Sequence, residues 1–550
     1  MNNIKLIFFN FFFGSFILIS SIFFDYRFDT SVNKRFTLNA DSINYVNSIK
    51  KKISINVFLY GKLPTSYRKL HNETKRILRT FKSLNKNFYI NYIDPFETEL
   101  SIDNLISEMS SYGMKPDFII DTNNQSLDQK FVFPWIVIND TENSILIPLT
   151  ESSLGNSSEK KIIKGIEQLE IKIIDGIKRL NIRDKEQICF LTSHETSSTK
   201  KISDWIQTLQ MYYDVSFFDL KKYKKNPKKT LDNLNKFPLL IISNPKQKFL
   251  IPEKFILDQY HANGGNILWL IDALNIDNKL LFDNNGIVTP TKNDLELDDY
   301  FFNYGLRLKY DLIKDVYCAP IVIANGNGSQ TQYIPFPWTY SPISKPTNSL
   351  INQNNIENLW FRFVSSIDTI ESATRKQILV KSSNFSQVQS VSKVINLQTE
   401  INRINPDNYN DTSKTLAVLT EGNYKSLFKN RISPISDINK IKNGKSKLIL
   451  IGDGQFGENQ IKNSDPLELG YDKWTNNFYS NKKFLINVVH YLAKPSNLSK
   501  IRLKKVKINL FDQVKIKNRN KFEWVLFLFT PLIFLFFLRI LINKSRKLVS

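Results

Sequence analysis

Residues 239–272 read LLIISNPKQKFLIPEKFILDQYHANGGNILWLID, and this stretch decides the fold. Leu239 to Ser243 and Asn266 to Asp272 are short, almost continuous apolar runs, which predict buried strands. The segment between them, Pro252 to Ala262, is predicted as a helix. Apolar strands separated by helices are typical of a parallel sheet with helices on both faces. The stretch therefore predicts a doubly wound α/β domain.

The same alternation continues along residues 186–500, which we predict to form one doubly wound domain of the flavodoxin or class I amidotransferase type. Two segments inside it, Asn325 to Ser329 and Asn384 to Thr412, are predicted as long surface loops. The other predicted elements are strands at Ile188 to Thr192, Val215 to Asp219, Ile378 to Lys381, Thr415 to Thr420 and Lys447 to Ile451, and helices at Lys200 to Tyr212 and Asn481 to Leu492.

Residues 25–150 predict a smaller, thioredoxin-like domain. Its predicted order is strand, helix, strand, helix and a closing hairpin, but the Cys-x-x-Cys of a redox enzyme is missing. Residues 151–185 follow as a polar linker and an amphipathic bridging helix. The strands are predicted at Ile53 to Tyr60, Phe88 to Tyr92, Val132 to Ile138 and Ser144 to Leu149, and the helices at Thr65 to Leu84 and Ile102 to Tyr112.

The two ends of the chain carry apolar runs, Leu6 to Phe24 and Trp524 to Ile542. Each is long enough to cross a bilayer as a helix, so residues 1–24 and 524–543 are predicted as transmembrane segments. Positive charges near the spans predict that both termini are cytoplasmic, including a basic tail at 544–550. The bulk of the chain would then be periplasmic at the inner membrane, with a basic juxtamembrane segment at 501–523.

Charge and composition exclude some classes of function. The net charge of +23 comes from Lys and Arg spread over the whole length, without a nucleic-acid-binding motif, so no nucleic-acid partner is predicted. The 2 cysteines define no disulfide framework. Asn443 to Ser446 resembles the end of a P-loop, but Asn439 stands where the first glycine is required. The chain is therefore not predicted to be an ATPase.

Other motifs give no catalytic, cofactor or metal residue. Gly452, Gly454 and Gly457 have the Gly-x-Gly-x-x-Gly spacing, but no predicted helix follows them, so we predict a tight turn and no cofactor. His194-Glu195 begins like a zinc-protease helix and lacks its second histidine. Cys189 lies inside an apolar strand, where a thiol is usually inert.

Nine short segments, spread in order over nearly the whole chain, resemble the gliding-motility-associated ABC transporter auxiliary proteins of the GldG family. They are Arg35-Phe36-Thr37-Leu38, Leu70 to Thr74, Ile188 to Glu195, Tyr213-Asp214-Val215, Gly264 to Asp272, Cys318 to Ile321, Gly452-Asp453-Gly454, Leu469 to Asp472 and Asn481 to Asn487.

This resemblance implies a non-enzymatic, substrate-binding-like subunit that works with a separate ATPase and a permease in the lipid bilayer, linked to gliding motility and the cell envelope. Two alternatives stay open. The first is an extracytoplasmic module that binds a small molecule or an envelope precursor at the carboxyl edge of the sheet, near Ser193, His194, Asn244, Asp272 and Asp453. The second is a degenerate amidotransferase-like hydrolase that uses Cys318.

Overall fold

The protein is described from a computed structural model. The structure describes residues 37–121, 128–151, 158–182, 184–276, 279–282, 286–326, 328–347, 356–401 and 404–493. The chain divides into two compact units, Met1–Lys505 and Val506–Ser550, and every described residue belongs to the first of them.

The N-terminal part is built on a four-stranded sheet with the strand order β2-β1-β5-β6. β1 runs parallel to β2 and antiparallel to β5, which in turn is antiparallel to β6. Its elements are α1 (Ala40–Ser48), β1 (Ile53–Val57), α2 (Thr65–Leu84), β2 (Phe88–Tyr92), α3 (Ile102–Ser111), β3 (Asp117–Asp121), β4 (Asp128–Val132), β5 (Trp135–Asn139), β6 (Ser144–Pro148) and α4 (Ser158–Leu180).

Helices α2 and α4 share one core with this sheet. Ile55 of β1 and Leu78 of α2 are fully buried in it, and Leu169 and Ile173 of α4 pack in the same cluster. Gly176 lets α4 approach the sheet closely, because a Cβ there would lie 2.2 Å from the Ile147 side chain. The bridging helix is therefore fixed against the N-terminal sheet by apolar packing.

The rest of the described chain is larger. It begins with β7 (Glu186–Leu191), α5 (Ser203–Gln210), β8 (Tyr213–Phe218), α6 (Pro227–Leu234), β9 (Leu239–Ser243), α7 (Ile251–Ala262) and β10 (Asn266–Leu270). An insertion follows before β23, with β11 (Leu274–Asn275), β12 (Ile287–Val288), β13 (Thr291–Lys292), α8 (Asp298–Asn303), β14 (Leu306–Leu308), β15 (Asp311–Asp315), β16 (Cys318–Asn325), β17 (Gln332–Ser344), β18 (Leu359–Trp360), β19 (Ile367–Thr369), β20 (Arg375–Lys381), β21 (Ser386–Ser390), β22 (Ile395–Asn396) and α9 (Leu397–Glu400). The chain then continues with β23 (Thr415–Lys425), β24 (Asn443–Ile451), β25 (Ile461–Lys462), β26 (Asp465–Pro466), β27 (Tyr471–Asp472), β28 (Asn477–Phe478) and α10 (Asn481–Leu492).

A seven-stranded sheet forms the centre of this part, with the order β20-β23-β24-β10-β9-β7-β8. Strands β24, β10, β9, β7 and β8 are parallel to one another, whereas β23 is antiparallel to both of its neighbours, β24 and β20. Helices cover both faces, and the central strands supply side chains to both. In β7, for example, Ile188 and Phe190 pack on the face that carries α5 and α10, while Cys189 and Leu191 pack with α6 and α7.

The insertion between β10 and β23 forms small antiparallel sheets beside the main one. β16 and β17 make a long hairpin that β18 extends, and β15 pairs with β21. The prediction of a surface loop over Asn384 to Thr412 is therefore wrong for β21, β22 and α9. The sequence of β21, Ser-Gln-Val-Gln-Ser, has too little apolar character to indicate a strand, and its pairing with β15 imposes the extended conformation.

The predicted fold class is wrong in its two flanking transmembrane helices. No helix among the described residues is long and apolar enough to cross a membrane. The long helices α2 and α4 carry charged residues over much of their surface and bury only one face. The described chain is a mixed α/β structure, and its strands include those predicted at Leu239 to Ser243 and Asn266 to Asp272.

The predicted location in the inner membrane, with two spans and a periplasmic bulk, is contradicted by the same finding and is withdrawn. It depended on reading the apolar runs at Leu6 to Phe24 and Trp524 to Ile542 as membrane-spanning helices. Those runs, the juxtamembrane segment 501–523 and the tail 544–550 lie outside the described residues.

Candidate functional site

The five predicted site residues all lie beyond the carboxyl ends of parallel strands of the main sheet. Ser193 and His194 follow β7, and Asn244, Asp272 and Asp453 follow β9, β10 and β24. Because β24, β10, β9 and β7 are neighbours, these residues gather along one edge. In parallel α/β sheets, ligands usually bind at this edge.

Asn244 and Asp272 meet at the start of the short 3₁₀ helix Gly454–Gly457. The Asp272 carboxylate accepts the Gly454 N–H at 2.6 Å, and the Asn244 N–H donates to the Leu270 carbonyl at 2.8 Å. A Cβ on Gly454 would lie 2.3 Å from Asn244 Oδ1. Only glycine allows this approach, so the turn predicted from the glycine spacing serves to join three strand ends.

Asp453 is fully buried and stabilises the backbone around it. Its two carboxylate oxygens accept the N–H groups of Arg362 at 2.7 Å and Gln455 at 2.8 Å. Burial raises the pKa of Asp453 to about 8, the Arg362 guanidinium opposes this rise, and the nearby Asp272 carboxylate adds to it. The Arg362 side chain donates in turn to the carbonyls of Gln455 and Glu458.

Glu458 belongs to the same network and was not predicted from the sequence. Its carboxylate accepts from Ser197 Oγ at 2.7 Å and from Asn244 Nδ2 at 3.3 Å, and forms an ion pair with Lys201 at 3.3 Å. Burial alone would raise the pKa of Glu458, but Lys201, with these hydrogen bonds, holds it below its usual value. Glu458 follows no strand, so strand-end reasoning could not find it; an acidic residue in the segment after Gly457 was the only signal.

Ser193 and His194 form a separate buried cluster. The His194 ring stacks on Phe249 with centroids 3.9 Å apart, and its two nitrogens contact Ser193 Oγ at 2.9 Å and the Glu253 carboxylate at 3.0 Å. The His194 carbonyl accepts the Lys246 N–H at 2.9 Å. His194 therefore positions the loop that carries Lys246, and both ring nitrogens are already engaged.

A cavity of about 510 Å³ opens beside this edge. Of the predicted residues, Asn244 and Asp272 line it, whereas Ser193, His194 and Asp453 do not. One part of its wall is polar and the other is apolar. The polar lining comprises Lys201, Asn244, Lys246, Asp272, Asn275, Thr289, Thr291 and Gln455, and the apolar lining comprises Leu274, Ile276, Leu280, Val288 and Phe363.

Lys246 is one of the two cations that line this cavity, the other being Lys201, and sequence reasoning missed it. Its ammonium lies 3.0 Å from Asp272 Oδ2 and 3.5 Å from Asn275 Oδ1, and its side chain stays 33% exposed. It occupies the loop directly after β9, two residues beyond Asn244. That position was the signal available, but the general excess of lysine in the chain concealed it.

A second cavity, of about 590 Å³, lies between the N-terminal sheet, α4 and the main-sheet part. Its charged residues largely pair with one another: Lys164 with Glu357 at 3.2 Å, and Lys482 with Glu468 at 3.1 Å.

The two cysteines do not form a reactive site with the described histidines. Burial raises the pKa of the Cys189 thiol far above its usual range, and Cys189 Sγ contacts the Leu239 carbonyl. Burial also raises the pKa of Cys318, to about 12. His490 contacts the Tyr213 hydroxyl at 2.7 Å instead of a thiol. Within the described ranges, no group of three or more His, Cys, Asp or Glu side chains could hold a metal ion.

Comparison with protein families identifies the chain. A family model described as "ABC-type uncharacterized transport system" matches residues 185–488, which include the main sheet, its insertion and the site. The chain belongs to this ABC transport auxiliary family. Membership implies association with the other components of a transporter. A second family model, a domain of unknown function (DUF7088), matches residues 32–139.

Curated proteins gave no match. Among solved structures, the chain is similar to one titled "mmIFT52 N-terminal domain", with 14% identity and a TM-score of 0.33, over 57% of this chain and 100% of that one. This likeness is too distant to bear on function. The family membership confirms the coarser part of the resemblance seen in the sequence, that of an ABC transporter auxiliary protein.

Proposed function

We propose that the chain is a non-enzymatic auxiliary subunit of an ABC-type transport system of the gliding-motility-associated kind, working with a separate ATPase and a permease. The observation that carries this proposal is that the acidic groups at the carboxyl edge are already hydrogen-bonded within the protein. Asp453, Asp272 and Glu458 each accept a backbone or side-chain N–H group from another segment of the chain. A general base must instead be free to reach a substrate proton.

The cysteines support the same proposal. A thiol nucleophile needs a lowered pKa and access to its substrate, whereas burial raises the pKa of Cys318 to about 12. The described residues therefore offer no activated thiol that a degenerate amidotransferase-like hydrolase could use. The gliding-motility assignment rests on the sequence resemblance alone.

Affinity purification of the full chain from its source cells, after mild extraction, tests this role. We expect a P-loop ATPase and a multi-span permease to be recovered together with it, and ATP hydrolysis by the complex but not by the isolated chain. Deletion of the gene is expected to abolish gliding in a source that glides, and the Cys318→Ala variant is expected to restore it fully. Recovery of the chain without either partner, or ATP hydrolysis by the chain alone, would contradict the proposal.

The cavity beside the sheet edge favours a second, compatible role in ligand binding. It has a volume of about 510 Å³, which lies within the range of small-molecule sites, and it combines an apolar wall with a few fixed polar groups. A subunit with such a site would deliver its ligand to the permease. A thermal-shift screen of the isolated chain tests this role, because a ligand that binds only the folded state raises the Tm.

A further inference from the structure

We propose that the cavity at the carboxyl edge binds a small amphipathic carboxylate, with its anionic head at Lys246 and its apolar body on the wall formed by Leu274, Ile276 and Leu280. This inference deepens the proposed ligand-binding role and rests on it. It begins with the chemistry of the Lys246 ammonium.

The backbone of Lys246 is held in place, and its ammonium group can donate one more hydrogen bond. Its backbone N–H is held by the His194 carbonyl at 2.9 Å, and the Asn293 amide donates to the carbonyl of the preceding Pro245 at 3.2 Å. An ammonium group has three donors. Two are directed to Asp272 and Asn275, the latter at a long 3.5 Å, and the described residues supply no other acceptor. A bound carboxylate would take the remaining donor.

The charges that line the cavity favour a single negative charge on the ligand. Lys201 and Lys246 are the cations of the lining, and Asp272 is its only described anion. Lys201 is paired with Glu458, but its side chain is 52% exposed, and Glu458 is shared with Ser197 and Asn244. A dianion would meet repulsion from the Asp272 carboxylate on the same wall.

The apolar wall argues against a small anion without an apolar body as the preferred ligand. Leu274 and Val288 are buried in the core of the insertion, and Phe363 packs in the same core. Leu280 is 44% exposed. Phosphate or acetate would leave the accessible part of this wall, at Ile276 and Leu280, in contact with water, whereas a hydrocarbon body would cover it and gain about 25 cal/mol for each Å² removed from water. The ligand therefore needs both a carboxylate and an apolar body.

Isothermal titration of the full chain with sodium octanoate tests the proposal. We expect octanoate to bind and inorganic phosphate, acetate and octylammonium to bind at least about tenfold more weakly. Lys246→Gln is expected to weaken octanoate binding by about tenfold or more, since it removes a charge-assisted hydrogen bond, and Lys246→Arg to restore most of it. Added salt should weaken binding to the wild type more than to Lys246→Gln.

Two further variants control for indirect effects. Lys248→Gln removes the same charge from the same loop at an exposed position that does not line the cavity, and its affinity should equal that of the wild type. Thr291→Trp places a large ring at an exposed position of the cavity wall, and it should block octanoate while keeping Lys246.

The outcomes separate this proposal from the role that it deepens. Equal loss in Lys246→Gln and Lys248→Gln, or phosphate or octylammonium binding as tightly as octanoate, would overturn the proposal. If a neutral ligand such as octyl glucoside bound and Thr291→Trp blocked it, the ligand-binding role would stand and the carboxylate class would be wrong. If none of these probes bound, both the carboxylate proposal and the ligand-binding role would be contradicted. Recovery of the ATPase and permease with Lys246→Gln would show that the auxiliary role is unaffected.

Discussion

Glu151 connects the N-terminal part to the main-sheet part, and its replacement by glutamine tests how much this ion cluster stabilises the protein. Its carboxylate contacts Lys172 Nζ of α4 at 2.8 Å and forms an ion pair with Lys483 of α10. Lys172 also donates to the carbonyls of Thr150 at 2.7 Å and Pro148 at 3.0 Å. The glutamine keeps the shape and a hydrogen-bond acceptor but loses the charge.

The magnitude follows from the pKa of Glu151. Burial alone would raise that pKa, but Lys172 and Lys483 outweigh burial and lower it to about 2, from an ordinary value of 4.5. That difference corresponds to about 3 kcal/mol of stabilisation of the carboxylate. Burial lowers the pKa of Lys172, so part of this free energy is offset by the desolvation of the lysine. We therefore expect Glu151→Gln to reduce the free energy of unfolding by about 2 kcal/mol at neutral pH.

Urea unfolding at pH 7 and near pH 3 measures this effect. A carboxylate with a lowered pKa stabilises the folded state fully above its ordinary pKa of 4.5, and this contribution is lost as the pH falls toward 2. The difference between wild type and Glu151→Gln should therefore shrink at the lower pH. Glu468→Gln is the matched control, because Glu468 lines the same cavity, is half exposed and pairs with Lys482 at 3.1 Å. It should cost less than about 1 kcal/mol. Equal costs for the two variants, or a cost of Glu151→Gln that does not change with pH, would refute the reasoning.

Two more predictions concern the sheet edge, and a third concerns Cys318 in β16. Burial raises the pKa of Asp453 to about 8, so between about pH 4 and 8 the folded state holds a proton that the unfolded state has lost. The stability of the wild type relative to Asp453→Asn should therefore fall as the pH rises through this window, by at most about 1.4 kcal/mol per pH unit. Urea unfolding at several pH values measures this. His194→Ala removes a stacked ring and one of the two partners of Glu253 Oε2, the other being the Leu250 N–H, which should lower the free energy of unfolding by about 2–4 kcal/mol. A loss below about 1 kcal/mol would contradict the structural role of this histidine. Cys318 should react with iodoacetamide at neutral pH far more slowly than a free cysteine, as followed by mass spectrometry, and fast labelling would reopen the hydrolase interpretation.

The main strands could be predicted from the sequence because nearly all of their residues are apolar, which indicates burial. Runs such as Leu239 to Ser243 are buried at every position, and no amphipathic alternative competes. β17 was not predicted, since Pro335, Pro337 and Pro342 interrupt it, and proline lacks the N–H that a strand normally donates. Its pairing with β16 sets its conformation through tertiary contacts that no local pattern contains.

The site was predicted only in its position along the fold. Parallel strands end at one edge, so the residues after them had to lie together, and Asn244 and Asp272 do line a cavity there. Which side chains face that cavity depends on loop conformation. Lys246 projects into it because its backbone is held by the His194 carbonyl, a contact between two loops that are 52 residues apart in sequence.

A strongly shifted pKa often marks a catalytic group, and Asp453, with a pKa of about 8, has the value that a general acid needs near neutral pH. Its surroundings indicate a structural role instead. The residue is fully buried and does not line the cavity, and its oxygens accept the N–H of Gln455 in the turn after β24 and the N–H of Arg362 in the insertion. The carboxylate that faces Lys246 is that of Asp272, which also accepts the Gly454 N–H. The raised pKa of Asp453 therefore reflects its burial at the point where the strand ends are joined.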